Sequence, residues 1–369
     1  MVKAILLYYL IGIITIVIIK NDYDRYNYFR KQEKIKATSV AVICFIWTFY
    51  NIVVTCDAVD YSSDRHNYVL NFEGIRETPS LGLLNIIYVL RYINASPDQL
   101  FFLTSFICVL LTLISYRSSR DAKPVTILLL LSSQYVLMFL VNLKQAYAVA
   151  FASISIMLAI EHNGLKNLIL EFLFDALAFI FHPAAFILFI VSCVLRCNKI
   201  INNNFIVLIG LGLVFIFFDN LMNMMSVVIG QIIPEISNKI DMYFGDNQTI
   251  GAVNGEISFV KGIPFYIIFV YGIINKYKYK HSIDDINKYN KYLFVSGLVV
   301  IFYLANIYNY WMSRFCYFFY FIDFVFFTQI LAREKNKLIA AAMFIFVLMQ
   351  LMFITTRYIY ICYQLDYGF

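Results

Sequence analysis

Uninterrupted apolar runs, repeated from one end of the chain to the other, constrain this sequence more than any other feature. Ile5–Ile19, Val125–Val141 and Leu338–Thr355 are three of them, each close to the roughly 20 residues that carry a helix across a bilayer. In hydrocarbon every backbone N–H and C=O must be satisfied within the protein, which leaves helices or a closed barrel. Barrel strands alternate apolar and polar residues, and these runs do not, so helices are expected. Composition removes the soluble alternative. Of 369 residues 62% are hydrophobic and 14% charged, against about 45–50% and 25% in soluble domains. Too few polar side chains remain to solvate a surface.

The runs divide into about twelve spans, roughly 4–19, 38–56, 99–116, 124–141, 145–160, 167–181, 183–196, 204–218, 263–275, 292–308, 315–332 and 338–356. The six prolines, Pro79, Pro97, Pro124, Pro183, Pro234 and Pro264, are all expected in loops or first turns, where a missing N–H costs least. Ser80–Asn94 is apolar but too short to span and contains Asn85 and Arg91. It reads as a helix lying in the interface. The first run is too long for a cleavable signal, and no small-residue cleavage site precedes Asn21. The seven cysteines form no CxxC pair and have no histidines at metal spacing, so they are expected as small buried hydrophobes. With no internal repeat and no linker, the chain is expected as a single integral membrane domain, 1–369.

Lysine and arginine orient the bundle. Counted on alternate sides of these spans, 20 of the 29 fall on one side and nine on the other, so the richer side is cytoplasmic. Both termini and two long segments, about 57–98 and 219–262, then face outward. Loops of that length are uncommon unless they carry function.

Positive charge is scarce on the outer side, which draws attention to cations at helix mouths. Lys144 lies in Val-Asn-Leu-Lys-Gln-Ala-Tyr, where a helix begins, and Arg314 in Asn-Tyr-Trp-Met-Ser-Arg-Phe, at another helix start. Arg65 and Arg91 lie in the first outer segment. A cation beside a helix N-terminus is electrostatically disfavoured unless an anion sits there as well. The bland alternative is snorkelling to lipid phosphates. His182, in Phe-His-Pro-Ala-Ala, is expected at an N-cap with Pro183 at the first helical position. The positive end of a helix disfavours a second proton on the ring and leaves a neutral imidazole.

Asp64-Arg-His-Asn-Tyr68 with Phe72, followed by Glu77-Thr-Pro-Ser-Leu-Gly-Leu-Leu84, resembles the outer-loop pattern of the EpsG/Wzy group of bacterial polysaccharide polymerases. Asn142-Leu-Lys-Gln145 resembles that group's Asn-x-Arg-Gln segment, Phe181-His-Pro-Ala-Ala185 its Phe-His-x-Ser/Ala, and Arg314 before an aromatic run its late arginine. The departures are Lys144 where arginine is commoner and Thr78 inserted between Glu77 and Pro79. The resemblance runs in order from about 57 to 330. It implies an all-α, GT-C-like polytopic glycosyltransferase with a periplasmic interfacial helix, in the bacterial inner membrane, its active site facing the periplasm. Such an enzyme joins undecaprenyl-pyrophosphate-linked oligosaccharide repeat units, with a chain-length regulator and a flippase as pathway partners. No cofactor, metal or nucleic acid is implied.

That chemistry suits the residues. The leaving group is a lipid pyrophosphate, so fixed cations such as Arg314, Lys144, Arg65 and Arg91 would take up its charge. Asn142, Gln145 and Tyr68 would help to bind substrate. The acceptor hydroxyl needs a base, and His182 or Asp64 is available. Three other readings stay open. A flippase for the same lipid-linked sugar would place charges inside spans, as Glu171, Asp175 and Asp323 are placed. An O-antigen ligase or acyltransferase of the same pathway is the second. A transferase using Asp57, Asp60 and Asp64 on a hard cation is the third.

Overall fold

The structure, a computed structural model, describes residues 63–76, 80–119, 121–135, 142–162, 164–202, 208, 212, 249–279, 285–306 and 312–366. All its regular elements are helical, with no strand among the described residues. Among the described residues, five helical segments are long and apolar enough to cross a membrane: Pro97–Ser118, Leu143–Glu161, Phe259–Lys278, Arg314–Arg333 and Lys337–Arg357. The expected spans 4–19, 38–56 and nearly all of 204–218 lie outside the described residues.

The chain forms two compact units. The first, residues 1–193 with 324–369, contains α1 (Ser63–Glu73), α2 (Leu81–Tyr92), α3 (Pro97–Ser118), α4 (Pro124–Ser132), α5 (Leu143–Glu161) and α6 (Leu165–Phe181). A 3-10 turn, Pro183–Ala185, leads from α6 into α7 (Phe186–Arg196), and α13 (Lys337–Asp366) ends the described chain.

Local chemistry sets these boundaries. Pro97 and Pro124 occupy first-turn positions of α3 and α4, and Ser96 N–H donates to Gln99 Oε1 at 2.8 Å, one half of a capping box. Gly74 ends α1 at φ +83°, with Ile75 N–H returning to Leu70 O at 3.0 Å and Gly74 N–H to Asn71 O at 3.3 Å. That is a Schellman closure, which favours glycine. α4 breaks at Ser133, which turns extended while its hydroxyl bonds Leu130 O; helix resumes at Gln134, and the rest of the expected span, 136–141, lies outside the described residues.

α5 is the axis of the first unit. Ala146, Ala148, Ala150, Ala152, Ser153 and Ser155 on it are all buried, and small residues let membrane helices approach closely. Asp175 of α6 accepts from Ser155 Oγ at 2.5 Å and from Ser192 Oγ of α7 at 2.8 Å, so one carboxylate ties three helices together. Tyr135 OH bridges Thr112 of α3 (3.1 Å) and Ser153 of α5 (3.0 Å). α13 exposes Leu338, Ile345, Phe346, Met349 and Phe353, the surface of a helix that meets lipid. Cys193 is exposed and Cys197 half-buried, whereas Cys108 and Cys316 are buried. The expectation of buried cysteines thus fails at 193, since α7 turns one apolar face outward, Phe186 and Ile190 included.

The second unit, residues 194–323, contains α8 (Asn198–Asn202), α9 (Thr249–Lys278), α10 (Ile286–Ala305) and α11 (Ser313–Cys316). A 3-10 turn, Tyr317–Phe319, leads from α11 into α12 (Tyr320–Arg333), which begins in this unit and ends in the first. α9 corrects the expectation for Pro264, which lies inside this 30-residue helix rather than in a first turn. Helices in membranes tolerate an interior proline because neighbours re-satisfy the freed carbonyl. α9 also takes up the end of the expected outer segment 219–262, whose earlier part, 219–248, lies outside the described residues. Asp285 caps α10 by accepting from Lys288 N–H at 2.9 Å, and Tyr289 OH ties α10 to Gly272 O of α9 at 2.7 Å.

Candidate functional site

Asn142 is the hinge point of the first unit's site. Its side-chain oxygen caps α5 by accepting from Gln145 N–H at 3.5 Å, and its amide donates to Gln145 Oε1 at 3.2 Å. The same Oδ1 accepts from Tyr68 OH, 3.2 Å away and 74 residues back in the chain. Lys144 Nζ then lies over the Tyr68 ring, 5.9 Å from its centroid, within cation–π range. Tyr68 therefore contacts both Asn142 and Lys144 of the Asn-Leu-Lys-Gln segment. It steadies a cation at the positive end of a 19-residue helix, a place where the backbone favours an anion.

α1 is in turn held by Arg91. The Arg91 guanidinium donates through Nε to Phe72 O and through Nη2 to Asn71 O at 2.6 Å, and it lies over the Phe72 ring, 5.8 Å from the centroid. These carbonyls end α1, where the helix dipole is negative and a cation is stabilising. A Cβ at Gly74 would meet Arg91 Nη2 at 3.2 Å, so the left-handed glycine also leaves space for the brace. Arg91→Ala should therefore lower stability by about 1.5–3 kcal/mol through the lost charged hydrogen bonds, with Arg91→Lys recovering only part because it lacks the fork. Thermal unfolding in detergent checks this, and equal melting temperatures for all three proteins would refute the brace.

The other end of α2 reaches the His182 segment. Ser80 Oγ donates to Phe181 O at 2.7 Å, and a Cβ at Gly82 would sit 2.8 Å from the Phe181 ring. Phe181 stacks on Tyr147, centroids 4.3 Å apart, one turn along α5 from Lys144. Phe181, Ser80, Gly82 and Tyr147 thus connect the two halves of the site. Sequence reading gave none of them a task, although Phe181, Ser80 and Gly82 stand inside the quoted segments. His182 ends α6 and caps the Pro183–Ala185 turn, its Nδ1 accepting from Ala184 N–H at 3.3 Å. The N-cap and Pro183 placements are as the sequence predicts.

The first unit therefore assembles Tyr68, Asn142, Lys144 and Gln145 into one bonded group, braced by Arg91 and joined to His182 through Phe181. Asp64 and Arg65 fall in the first turn of α1, one and two residues past its start. Their side chains lie outside the described residues, as do Asp57, Asp60 and residues 77–79. Arg314 belongs to the second unit, half-buried on α11. No cluster of three or more metal-ligating side chains occurs among the described residues.

The family model described as the EpsG family matches residues 40–365. The chain belongs to the EpsG family. EpsG proteins are associated with glycosyltransferase-like polysaccharide polymerases, and the match covers every site residue discussed above. No curated protein and no solved structure matches the chain.

Proposed function

We propose that this EpsG-family protein is an O-antigen or exopolysaccharide polymerase, a glycosyltransferase that joins undecaprenyl-pyrophosphate-linked repeat units at the periplasmic face of the bacterial inner membrane. The observation that carries this reading is the Tyr68–Asn142–Lys144 junction. It fixes a cation over an aromatic ring at a helix N-terminus, a preorganised place for an anionic leaving group. On the proposed topology of about twelve spans, α2 lies in the outer interface. One face, Gly82, Leu83, Ile87 and Leu90, is buried, while Leu81, Tyr88, Val89 and Tyr92 are exposed.

Lys144 neutralises charge that builds on the pyrophosphate as the glycosidic C–O bond breaks. Arg314 supplies the second cation, an assignment that rests on the sequence pattern. Arg65, at the start of α1, is a further cation for the same leaving group, again on the sequence pattern. The His182 hydrogen bond bears on the choice of base. With Nδ1 accepting from Ala184 N–H, a neutral imidazole carries its proton on Nε2 and presents a donor there. To take a proton it would have to surrender the cap. This favours Asp64 as the base and leaves His182 the task of capping the turn that follows it.

Complementation of a polymerase-null strain tests the reading, with lipid-linked glycans displayed on a gel. A restored ladder of repeat lengths is expected. A single-repeat product in the complemented strain would sink the polymerase assignment. Rescue of a flippase-null strain instead would establish transport.

A further inference from the structure

The second unit holds a polar seam that the polymerase reading does not use. Cys316, Tyr320 and Asp323 follow one another at i, i+4 and i+7, so they share one stripe. Ser296, Val299 and Tyr303 of α10 face it at i, i+3 and i+7. Cys316 Sγ donates to Val299 O at 3.6 Å, the Tyr303 and Tyr320 hydroxyls are hydrogen-bonded, and Phe265 of α9 stacks on both rings at 5.2 and 4.5 Å. Ser296 lies beside the Asp323 carboxyl. Asp323 and Ser296 are both 0% exposed, and Asp323 lies within Arg314–Arg333, a segment long and apolar enough to span a membrane. Among the described residues, neither Asp323 oxygen nor Ser296 Oγ has a partner in hydrogen-bonding geometry. Asp175 differs, since both its oxygens accept from serines.

An ionised carboxylate at that depth, with no counter-charge and no donor in hydrogen-bonding geometry, is too costly to persist; such a group neutralises by binding a cation. The titratable groups along the seam are Cys316, Tyr303 and Tyr320, with Tyr266 and Tyr317 beside the two tyrosines, and no Lys or Arg of this unit pairs with Asp323 among the described residues. A hard metal ion needs about six oxygens, whereas this surrounding offers a carboxyl, one serine hydroxyl, two phenol hydroxyls already bonded to each other and a thiol. A proton needs a single lone pair, and once bound it turns the carboxyl into a donor for the neighbouring hydroxyl oxygen. We propose that Asp323 is an intramembrane proton-binding site, its carboxyl holding one proton at neutral pH and sharing it with Ser296 Oγ. The assignment stands independently of the polymerase reading.

Infrared difference spectroscopy on the full-length protein in lipid nanodiscs tests it. Wild type minus Asp323→Asn, at neutral pH in potassium buffer, should show the loss of one protonated-carboxyl C=O band. Sodium buffer should leave that band in place, and Ser296→Ala should move it to higher frequency by removing the acceptor. Loss of a carboxylate stretch in place of the acid band would overturn the proposal. So would sodium exchanging the acid band for a carboxylate one, which would make this a metal-cation site. Ser296→Ala serves alone if Asp323→Asn does not insert, and an unmoved acid band in that variant refutes the shared proton.

Discussion

Asp64→Asn should lower polymer formation by about 10²–10⁴-fold, the usual cost of losing a general base, whereas His182→Asn should keep most of it. The contrast comes from one hydrogen bond. Ala184 N–H donates to His182 Nδ1 at 3.3 Å, so the lone pair that a base would use is already committed to capping the Pro183–Ala185 turn. Asparagine is among the best N-caps, and its side-chain oxygen can take over that N–H while removing the distal ring nitrogen. His182→Gln does the opposite, keeping a polar group near the Nε2 position while misplacing the cap. The order expected on a glycan ladder, with membrane protein levels matched, is wild type, then His182→Asn, then His182→Gln, with Asp64→Asn far below. An inactive but well-inserted His182→Asn beside an active Asp64→Asn would return the base to the histidine.

Much of the local structure is written in short sequence signals. Pro97 and Pro124 mark helix starts, Asn142 is a cap at the head of an apolar run, and the apolar stretch 80–94 forms the short helix α2 that its length implies. What escapes a linear reading is the pairing of distant residues. Tyr68 meets Asn142 across 74 positions and Ser80 meets Phe181 across 101, and no periodicity encodes either contact. Arg91 shows the consequence. As a cation in the first outer segment it looks like a ligand for phosphate, and two of its donors also close the C-terminus of α1, a task that no linear reading gives it. Pro264 misleads for another reason. The rule placing prolines in first turns reflects the cost of an interior proline in water, and α9 runs through Pro264 regardless. A Cβ at Gly262 would meet the Tyr266 ring at 2.4 Å, so the glycine two residues before the proline makes room for the tyrosine two residues after it.

Lys144→Ala should cut polymerisation by about 10²–10³-fold, the effect of removing one preorganised group from developing negative charge, and Lys144→Arg should restore much of it. Lys144 stands in the first turn of α5, which Asn142 caps, and its ammonium lies over the Tyr68 ring. A purely structural lysine there would be a poor choice, because the helix dipole opposes it. A phosphate reverses that balance, drawing on the backbone N–H groups and the ammonium together. Arginine keeps the charge and can engage phosphate through two donors, and it is the commoner residue at this place in the pattern that the segment resembles. Tyr68→Phe separates positioning from charge. It keeps the ring under the ammonium but loses the bond to Asn142, so a smaller loss is expected than for Lys144→Ala. Arg314→Ala should likewise lower polymer formation, an expectation that rests on the sequence pattern. Normal-length polymer from either single variant, with the protein present in the membrane, would remove that residue from the leaving-group site.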